Sequence, residues 1–406
     1  MNNLSLTIKK NKYRIKIFAI IGLCLLGDAM FYTVLPTRLD IFSFSGTQLG
    51  ILLAINRVIR LGSNFWAAKL YKKWNRSSPF KIAVILSIFI TFSYGYVSLF
   101  WQFLILRLLW GISFSILRLK ALLIIFDSNL TENIQGRLSG LFRSISRSGY
   151  MVGMILGGYF ADLFNFSISA YILAGITAIA LFFLLIKDKT YDNNKRNNIT
   201  QKSYRPAPKT SLVHLITSKK MLALMFMGFA LNFTVLGLIN SSYGLYLKNV
   251  FGDTALIFGS IIGIATLNGF ILSTQSLFEL ILSPLLGSFV DKYKTNKFIV
   301  IIFIFQAILM SVLAFYQNNI LSLIVPLLIF INAAFLILLL YLEVGNLKEN
   351  TVSNRMAGFT TSIDFGAASG PLILILLDFG INLTSLYFLA AVLLILASML
   401  YYEFNI

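Results

Sequence analysis

The stretch Gly287-Ser-Phe-Val-Asp291-Lys292-Tyr-Lys294 ends a long apolar segment with a glycine, an acid and a basic cluster. A similar stretch, Ala68-Lys-Leu-Tyr-Lys72-Lys73-Trp-Asn75, ends another apolar segment 219 positions earlier, with Lys72 in the place of Asp291. At the same offset, Arg60 corresponds to Glu279. Two matching stretches at one offset indicate that the chain consists of two related halves.

Glycine runs repeat at nearly the same offset, 217 positions. The two runs are Gly149-x-x-x-Gly153-Met154-x-x-Gly157-Gly158 and Gly366-x-x-x-Gly370-Pro371. Each follows an arginine and a glycine three positions apart, Arg137 with Gly140 and Arg355 with Gly358. Small residues four positions apart let helices approach closely. We therefore predict helix packing for the glycines of both runs and for Pro371.

The composition indicates a membrane protein. Only 12% of the 406 residues are charged, 58% are hydrophobic and the mean hydropathy is +0.82. Because a soluble chain carries about a quarter charged residues, a secreted domain, a cytosolic enzyme and a nucleic-acid-binding protein are excluded. The single cysteine, Cys24, allows no internal disulfide, and the single histidine, His214, leaves no His/Cys metal cluster. We predict no metal and no cofactor.

Twelve apolar segments have the length of about 20 residues that a bilayer core requires. A polar, charged gap separates them into two groups of six. The first segment is too long for a signal peptide and lacks a cleavage site, so we expect it to remain as a helix. The predicted spans lie near 15–37, 46–70, 80–100, 102–126, 138–162, 167–186, 221–246, 266–290, 298–317, 320–343, 356–377 and 382–402.

The predicted fold is an all-α integral membrane protein, with twelve transmembrane helices in two pseudo-symmetric six-helix bundles. Its regions are a cytoplasmic N-terminus (1–14), an N-terminal bundle (15–186), a cytoplasmic linker (187–220) and a C-terminal bundle (221–406). The linker is polar and charged, which is typical of a flexible tether. The apolar segment 253–265 lies between two spans, and we expect an extra interfacial helix there.

Basic residues predict the orientation. Most of the 34 Lys and Arg residues lie in the N-terminus, in the linker and in the loops on the same side, whereas the opposite loops hold only Arg38 and Lys248. Cytoplasmic loops carry such an excess of Lys and Arg. We therefore expect a multi-pass protein of the bacterial plasma membrane with both termini in the cytoplasm.

The chain resembles the major facilitator superfamily over essentially its whole length. Residues 287–297 resemble its loop motif, and the first glycine run resembles its antiporter motif, with Met154 where proline is usual. The stretch Leu104-x-x-Arg107-x-x-Trp110-Gly111 is similar to a motif linked to proton transfer. The resemblance implies two bundles that alternate around a central site.

It also implies a gating role for the loop-motif positions Gly287, Asp291, Lys292, Lys72, Lys73 and Arg76. Lys72 departs from the usual aspartate, which weakens this expectation for the first half.

Charged residues within the predicted spans indicate a function. A charge at bilayer depth costs about 2.5–3.5 kcal/mol, so it requires a partner, water or a role in transport. The basic residues are Arg57, Arg60, Arg107, Arg118, Lys120, Arg143 and Arg147, and the acids are Asp28, Glu279, Glu343 and Asp364. The positive surplus predicts a cavity with a basic N-terminal wall and an acidic C-terminal wall.

Helical spacing places the arginines in groups, among them Arg57, Arg60 and Asn64 on one face of span 2. Guanidinium groups bind carboxylates through two parallel hydrogen bonds, so converging arginines suit an anionic ligand. We predict substrate contacts for Arg57, Arg60, Asn64, Arg107, Arg147 and Tyr32.

Each of these interpretations has a structural alternative. For Arg57 and Arg60, the alternative is an interdomain ion pair with Glu279 or Asp364. For Arg107, the alternative is a role in gating or proton relay. For a further group of charged residues, the alternative is a position at the cytoplasmic edge of the membrane, namely Arg118, Lys120, Arg143 and Glu343.

Asp28 lies in the middle of span 1, within Leu26-Gly-Asp28-Ala-Met-Phe-Tyr-Thr-Val-Leu-Pro36. Burial favours the protonated form of a carboxyl group, and an adjacent arginine opposes that effect. Because the segment resembles the first span of proton antiporters, we predict proton coupling through Asp28, with help from Asp364 or Glu279. The alternative is a fixed bridge from Asp28 to Arg57 or Arg60.

These observations predict a secondary active transporter that works by alternating access. The expected cargo is a small anionic or zwitterionic molecule rich in carboxylates, such as a siderophore, with the proton as coupling ion. The antiporter-like glycine run favours export. The alternatives are a proton-driven importer of a similar solute and a multidrug efflux pump. We expect no enzyme activity and no nucleic-acid partner, and we expect a monomer surrounded by lipid.

Overall fold

A computed structural model of the chain describes residues 2–73, 78–126, 132–185, 218–257, 259–290, 296–316, 319–347 and 352–405. Most of the predicted linker, 187–220, lies outside these ranges. The helix that contains span 1 begins at Asn2, well before the predicted start of the span at residue 15.

Within the described ranges, the first half contains eight α-helices. They are α1 (Asn2–Cys24), α2 (Leu26–Val34), α3 (Leu39–Phe42), α4 (Gly46–Lys73), α5 (Ser78–Tyr94), α6 (Phe100–Ile125), α7 (Glu132–Leu163) and α8 (Phe166–Leu185). A short 3₁₀ turn, Leu35–Thr37, follows α2.

The described parts of the second half contain seven α-helices and one hairpin. They are α9 (Lys219–Asn232), α10 (Asn240–Phe251), β1 (Thr254–Ile257), β2 (Ser260–Gly263), α11 (Ile264–Val290), α12 (Asn296–Phe315), α13 (Asn319–Asn346), α14 (Val352–Ser369) and α15 (Leu383–Asn405). A π-helical segment, Phe233–Ile239, joins α9 to α10, and a 3₁₀ segment, Gly370–Phe379, continues α14.

The prediction of an all-α membrane fold is confirmed. Within the described ranges, nine helical stretches are long and apolar enough to cross a membrane, and α5 is a shorter apolar helix. The two remaining span-length helices, α4 and α7, carry Arg57, Arg60, Arg143 and Arg147. These arginines lower the hydropathy of α4 and α7, and both helices line the space between the two halves.

The prediction of an extra helix over 253–265 is wrong, because β1 and β2 form an antiparallel hairpin there. Thr254 pairs with Gly263, and Ile257 pairs with Ser260. The turn includes Gly259 at φ 79°, a left-handed conformation that glycine adopts without steric cost. Half of the strand residues, Thr254, Ile257, Ile261 and Ile262, are β-branched and favour extended backbone.

The first span of each half is interrupted near its middle. In span 1, α1 ends at Cys24, and Leu25 bonds back to Gly22 with a distance of 3.2 Å between amide nitrogen and carbonyl oxygen. In span 7, the π-helical segment breaks the regular α-helix. Interrupted helices at corresponding places of two repeats are typical of transporter binding sites. Leu25 and Leu236, from these two interruptions, line the same cavity.

The glycine runs lie at close helix contacts. A Cβ atom at Gly149 would collide with the carbonyl of Gly22, and one at Gly366 would collide with the carbonyl of Phe229. Gly370 packs against Gly237 in the same way. Gly158 differs, because its neighbour is the backbone of Ala265 in the other half.

Candidate substrate cavity

A cavity of about 540 Å³ lies between the two halves. It begins near the middle of the bundle and extends toward the end at which α4 finishes (Lys73) and α7 begins (Glu132), which we call the cavity end. The opposite end, where α4 begins (Gly46) and α7 finishes (Leu163), is called the closed end. The charged residues of the lining are Asp28, Arg57, Arg60, Arg118, Arg143, Arg147 and Asp364.

Arg57 joins the two halves through backbone carbonyls. Its Nη1 donates to the oxygen of Ala367 at 2.6 Å and to that of Leu236 at 3.1 Å. Its guanidinium carbon lies 5.3 Å from the ring centroid of Tyr32, which permits a cation–π contact. Arg57 forms no ion pair with Glu279 or Asp364, so this alternative is wrong.

Arg60 is held within its own half. Its Nε donates to the carbonyl of Asn56 at 2.9 Å, and its guanidinium carbon lies 5.0 Å from the ring centroid of Phe114. The terminal nitrogens of Arg60 donate to no residue that the structure describes. Arg60 forms no ion pair with Glu279 or Asp364, so this alternative is also wrong. Asn64, one turn further along α4, is exposed in the lining.

Arg118 and Arg143 line the cavity without a counter-ion among the described residues. On the opposite wall, the exposed carboxylate of Asp364 forms no ion pair or hydrogen bond within the same ranges. Arg147, in contrast, pairs with Glu279 across the two halves at 2.9 Å. Four lining arginines therefore face one unpaired acid in the part of the chain that the structure describes.

Asp28 is paired at the inner end of the cavity. Its Oδ1 accepts from Arg107 Nη1 at 2.5 Å and from Asn56 Nδ2 at 3.3 Å. The proposed bridge from Asp28 to Arg57 or Arg60 is wrong, because Arg107 takes that place. The Oδ2 atom of Asp28 accepts no hydrogen bond from any described residue, although Asp28 belongs to the cavity lining.

Two of the residues predicted to bind substrate lie behind the lining. Arg107 is fully buried and donates from Nε to the carbonyl of Leu52 at 3.0 Å. Tyr32 is buried, and its hydroxyl donates to the carbonyl of Leu53 at 2.6 Å. Both predictions of direct contact are therefore wrong for this conformation. The two residues support the lining instead, because Tyr32 packs against Arg57 and Arg107 holds Asp28.

The closed end is sealed by carboxylates that bond to helix N-termini of the other half. Asp378 accepts from the backbone amides of Gly46 at 2.8 Å and Thr47 at 2.9 Å, at the start of α4. Asp162 accepts from the amide of Thr266 at 2.6 Å, near the start of α11, and from Arg38 at 2.8 Å. A helix N-terminus carries unpaired amides and a partial positive charge, so both acids are well placed.

A further ion pair spans the closed end. Lys248 lies 2.7 Å from Asp40 in the other half and 3.3 Å from Asp253 in its own half. The hydrogen bond from Lys248 lowers the pKa of the Asp40 carboxyl below its ordinary value. Buried contacts add to the seal, since Asn268 donates to the carbonyl of Thr33 at 2.7 Å.

A sequence profile described as Major Facilitator Superfamily matches residues 17–273, more than half of the chain. The chain belongs to the Major Facilitator Superfamily. It is therefore a multi-pass membrane protein and a secondary transporter of small molecules, and it is not an enzyme.

Several known members of the superfamily are similar to the chain. The multidrug resistance protein MdtG of Escherichia coli is 23% identical over 366 residues, which cover 86% of this chain and 84% of MdtG. The solved nucleoside transporter NupG matches with a TM-score of 0.74 at 14% identity, covering 97% of this chain and 98% of NupG. An inward-facing, occupied structure of a bacterial homologue of the human lysosomal transporter Spinster matches with a TM-score of 0.71 at 13% identity, covering 97% and 96% of the two chains. At these identities the two structures show the shared fold.

The gating positions of the superfamily loop motif are only partly described. Arg76, Asp291 and Lys292 lie outside the described residues. Lys72 and Gly287 lie near the ends of α4 and α11, and Lys73 is exposed. Their gating role stays a prediction.

Two further charged residues lie outside the cavity lining. Glu343 lies 3.7 Å from Lys220 near the cavity end. Lys120 is buried, with 4% of its surface exposed.

Apart from Asn64, sequence reasoning missed the uncharged polar residues of the lining. Asn240 follows the π-helical segment, is 3% exposed, and has an Oδ1 with no hydrogen-bond partner in the described structure. Gln275, Ser276 and Tyr150 also contribute to the lining. Gln275 lies one turn before Glu279 on α11, so the same helical spacing that grouped the arginines would have found it.

Proposed function

We propose that this transporter carries a small organic anion or zwitterion rich in carboxylates, such as a siderophore, by alternating access. The observation that carries the proposal is the charge of the cavity. Arg57, Arg60, Arg118 and Arg143 lack carboxylate partners among the described residues, and Asp364 is the unpaired acid opposite them. Arginine remains charged at any physiological pH, so these side chains cannot become neutral by losing a proton. A bound anion would neutralise their charge.

The apolar part of the lining supports an amphiphilic cargo. Leu25, Leu61, Phe114, Phe142 and Leu236 contribute to the same cavity as the arginines. Ligand sites typically combine apolar walls with a few convergent polar groups that fix orientation. We therefore infer a molecule with carboxylates on an apolar or aromatic body.

Proton coupling through Asp28 is part of the proposal. Its Oδ1 is held by Arg107, whereas Oδ2 has no described donor and belongs to a cavity-lining residue. A proton on Oδ2 would weaken the bond to Arg107 and release a buried guanidinium, so protonation and conformation would be linked. Asp364 supplies a second acceptor, and Glu279 a third when its pair with Arg147 opens.

Export from the cytoplasm is the proposed direction. The excess of Lys and Arg in the loops supports a cytoplasmic location of the cavity end. In that orientation the closed end faces outward, and the cavity would load from inside. The similarity to MdtG, whose name describes multidrug resistance, also supports export.

The test is transport in proteoliposomes under imposed pH gradients, with citrate, carboxylate siderophores and aromatic carboxylates as solutes. In the double variant Arg118→Gln/Arg143→Gln we expect KM to rise about 10- to 100-fold, because hydrogen bonds to charged groups are lost. Arg137→Gln is the matched control, since this exposed arginine lies on α7 outside the cavity lining. Unchanged transport in the double variant would contradict the anion proposal.

The coupling proposal has a separate readout. Asp28→Asn should bind the solute and no longer respond to the pH gradient. A wild-type protein that is indifferent to the gradient would remove proton coupling and leave the anion proposal intact.

Multidrug efflux is the second candidate function. It is supported by the aromatic residues of the lining, Phe114, Phe142 and Tyr150, and by the similarity to MdtG. A cavity for cationic drugs would be expected to present acids in place of arginines. Transport of lipophilic cations in preference to carboxylates would therefore favour multidrug efflux over the first proposal.

A further inference from the structure

Two unpaired charges of opposite sign lie at similar depth on α4 and α14. The helices meet where Arg57 Nη1 donates to the carbonyl of Ala367. Arg60 lies three residues further along α4, and Asp364 lies three residues earlier on α14. Because the two helices run in opposite directions, each charge is displaced toward the cavity end by about 4.5 Å.

The two charges do not bind each other. Arg60 and Asp364 both line the cavity, and they form no ion pair. The terminal nitrogens of Arg60 have no acceptor among the described residues, while its Nε and its ring contact fix the guanidinium. Asp364 likewise has no donor in the described ranges. The guanidinium of Arg60 and the carboxylate of Asp364 therefore line one cavity, and each lacks a partner of opposite charge among the described residues.

We propose that this space selects a zwitterion, with a carboxylate of the cargo on Arg60 and its ammonium group on Asp364. The inference rests on the proposed function and names the class of cargo more narrowly. An anion without an amine would leave Asp364 facing negative charge. A cation without a carboxylate would leave the arginines of the other wall unneutralised. Only a molecule with both charges satisfies both walls.

The positions of the neighbours define the rest of the cargo. Arg57 and Arg118 lie within electrostatic range of Arg60, so additional carboxylates would be favoured on that side. Phe114 and Leu236 lie on opposite walls and offer apolar surface between the charged groups. The selected class is an amino-carboxylate with an apolar body.

Three probes that share one body separate the charges. They are 3-phenylpropionate (carboxylate alone), phenylalanine (carboxylate and ammonium) and phenethylamine (ammonium alone). We expect purified wild-type protein to bind phenylalanine at least about tenfold more tightly than either of the others, since each charged group adds a charge-assisted hydrogen bond.

Variants of Arg60 and Asp364 test whether these two residues cause the preference for phenylalanine. Asp364→Asn should abolish the advantage of phenylalanine over 3-phenylpropionate, and Arg60→Gln should abolish its advantage over phenethylamine. Asp364→Glu keeps the charge and should retain the preference, which separates recognition from a folding defect. Asp253→Asn is the control acid, because Asp253 is exposed at the closed end and pairs with Lys248.

The outcomes separate the inference from the proposed function. Equal binding of phenylalanine and 3-phenylpropionate, unaltered by Asp364→Asn, would overturn the zwitterion and leave an anion transporter. Failure of all three probes to bind would overturn the inference. If the Arg118→Gln/Arg143→Gln variant were also indistinguishable from wild type in transport, the proposed function would fail with it.

Discussion

The two ends of the interface between the halves are held together by different chemistry. At the closed end, carboxylates of one half bond to backbone amides of the other, as Asp378 does with Gly46 and Thr47. Toward the cavity end, the described cross-interface charges form one ion pair, Arg147 with Glu279, and several charges stay without a partner. Among the described residues, these carboxylates at the closed end have partners within the protein, whereas several charges at the cavity end have none.

The closed end also follows the internal repeat. Thr47 and Thr266 are related by the offset of 219, and each receives a carboxylate from the end of the fifth span of the opposite half, Asp378 or Asp162. The seal is thus built from two similar bonds, each modest in strength. A transporter that must open at this end benefits from contacts that are individually weak.

The largest effect is expected from the buried ion pair between Asp28 and Arg107. Asp28→Ala should lower the free energy of unfolding by about 3–5 kcal/mol, because it leaves Arg107 buried without a counter-ion. The measurement is denaturant-induced unfolding of the detergent-solubilised protein. Arg118→Gln, which leaves no buried partner behind, should change stability little. If the double variant Asp28→Ala/Arg107→Met regains the lost stability, the assignment is supported. If Asp28→Ala has the same free energy of unfolding as the wild type, the assignment is contradicted.

The next effect is expected from a close contact at the closed end. Gly158→Ala places a Cβ against the carbonyl of Ala265 and should oppose closure by about 1–3 kcal/mol. The measurement is the distance between spin labels at Tyr96→Cys and Leu256→Cys, two exposed positions of different halves, with Cys24→Ala as background. Gly175→Ala, at a site with open space, is the control. An unchanged distance distribution in Gly158→Ala would argue against this contact as part of the seal.

A smaller effect is expected from the carboxylates that cap the helices. Asp378→Ala and Asp162→Ala should each weaken closure by about 0.5–2 kcal/mol, the range of an N-cap contact. The same pair of spin labels should report a larger open population in each variant and a still larger one in the double variant. Asp253→Ala removes an acid at the same end without a bond across the interface. If it shifts the distances as strongly, the effect is a general one of charge.

The smallest effect is expected from Asp40 and Lys248. Asp40 is largely exposed, so its contribution is limited to about 0.2–1 kcal/mol. Because the pKa of Asp40 is lowered in the closed form, the contribution is complete above its ordinary value of 3.8 and is lost as the pH falls through the lowered value. Spin-label distances recorded from pH 6 to pH 3 test this. Asp40→Asn should remove that part of the pH dependence, and an identical pH profile in this variant would contradict the assignment.

The sequence predicted the helices well because the length and apolarity of a span are local properties. It failed at 253–265 because a short apolar segment is compatible with either a strand or a helix. Spacing grouped Arg57, Arg60 and Asn64 correctly on one face of α4. Spacing does not tell whether a side chain belongs to the lining or to the layer behind it, so Arg107 and Tyr32 were assigned to the substrate.

Pairing across the interface was harder to predict than position along the chain. The repeat relates Arg60 to Glu279, but equivalent residues of two pseudo-symmetric halves are not neighbours. In this fold α11 packs against α7, and Glu279 therefore meets Arg147. Asp378 was missed because nothing in the local sequence distinguishes an acid that reaches another helix from an ordinary loop acid.

The 3₁₀ segment Gly370–Phe379 has a mechanical consequence. A 3₁₀ helix rises about 2.0 Å per residue and an α-helix about 1.5 Å, so ten residues in this form extend about 5 Å further. That extra length carries Asp378 to the start of α4. Rewinding the same ten residues into α-helix would withdraw the carboxylate from Gly46 by more than the length of a hydrogen bond. A change of helical pitch, without any movement of the bundles, would then suffice to break the contact between Asp378 and the start of α4.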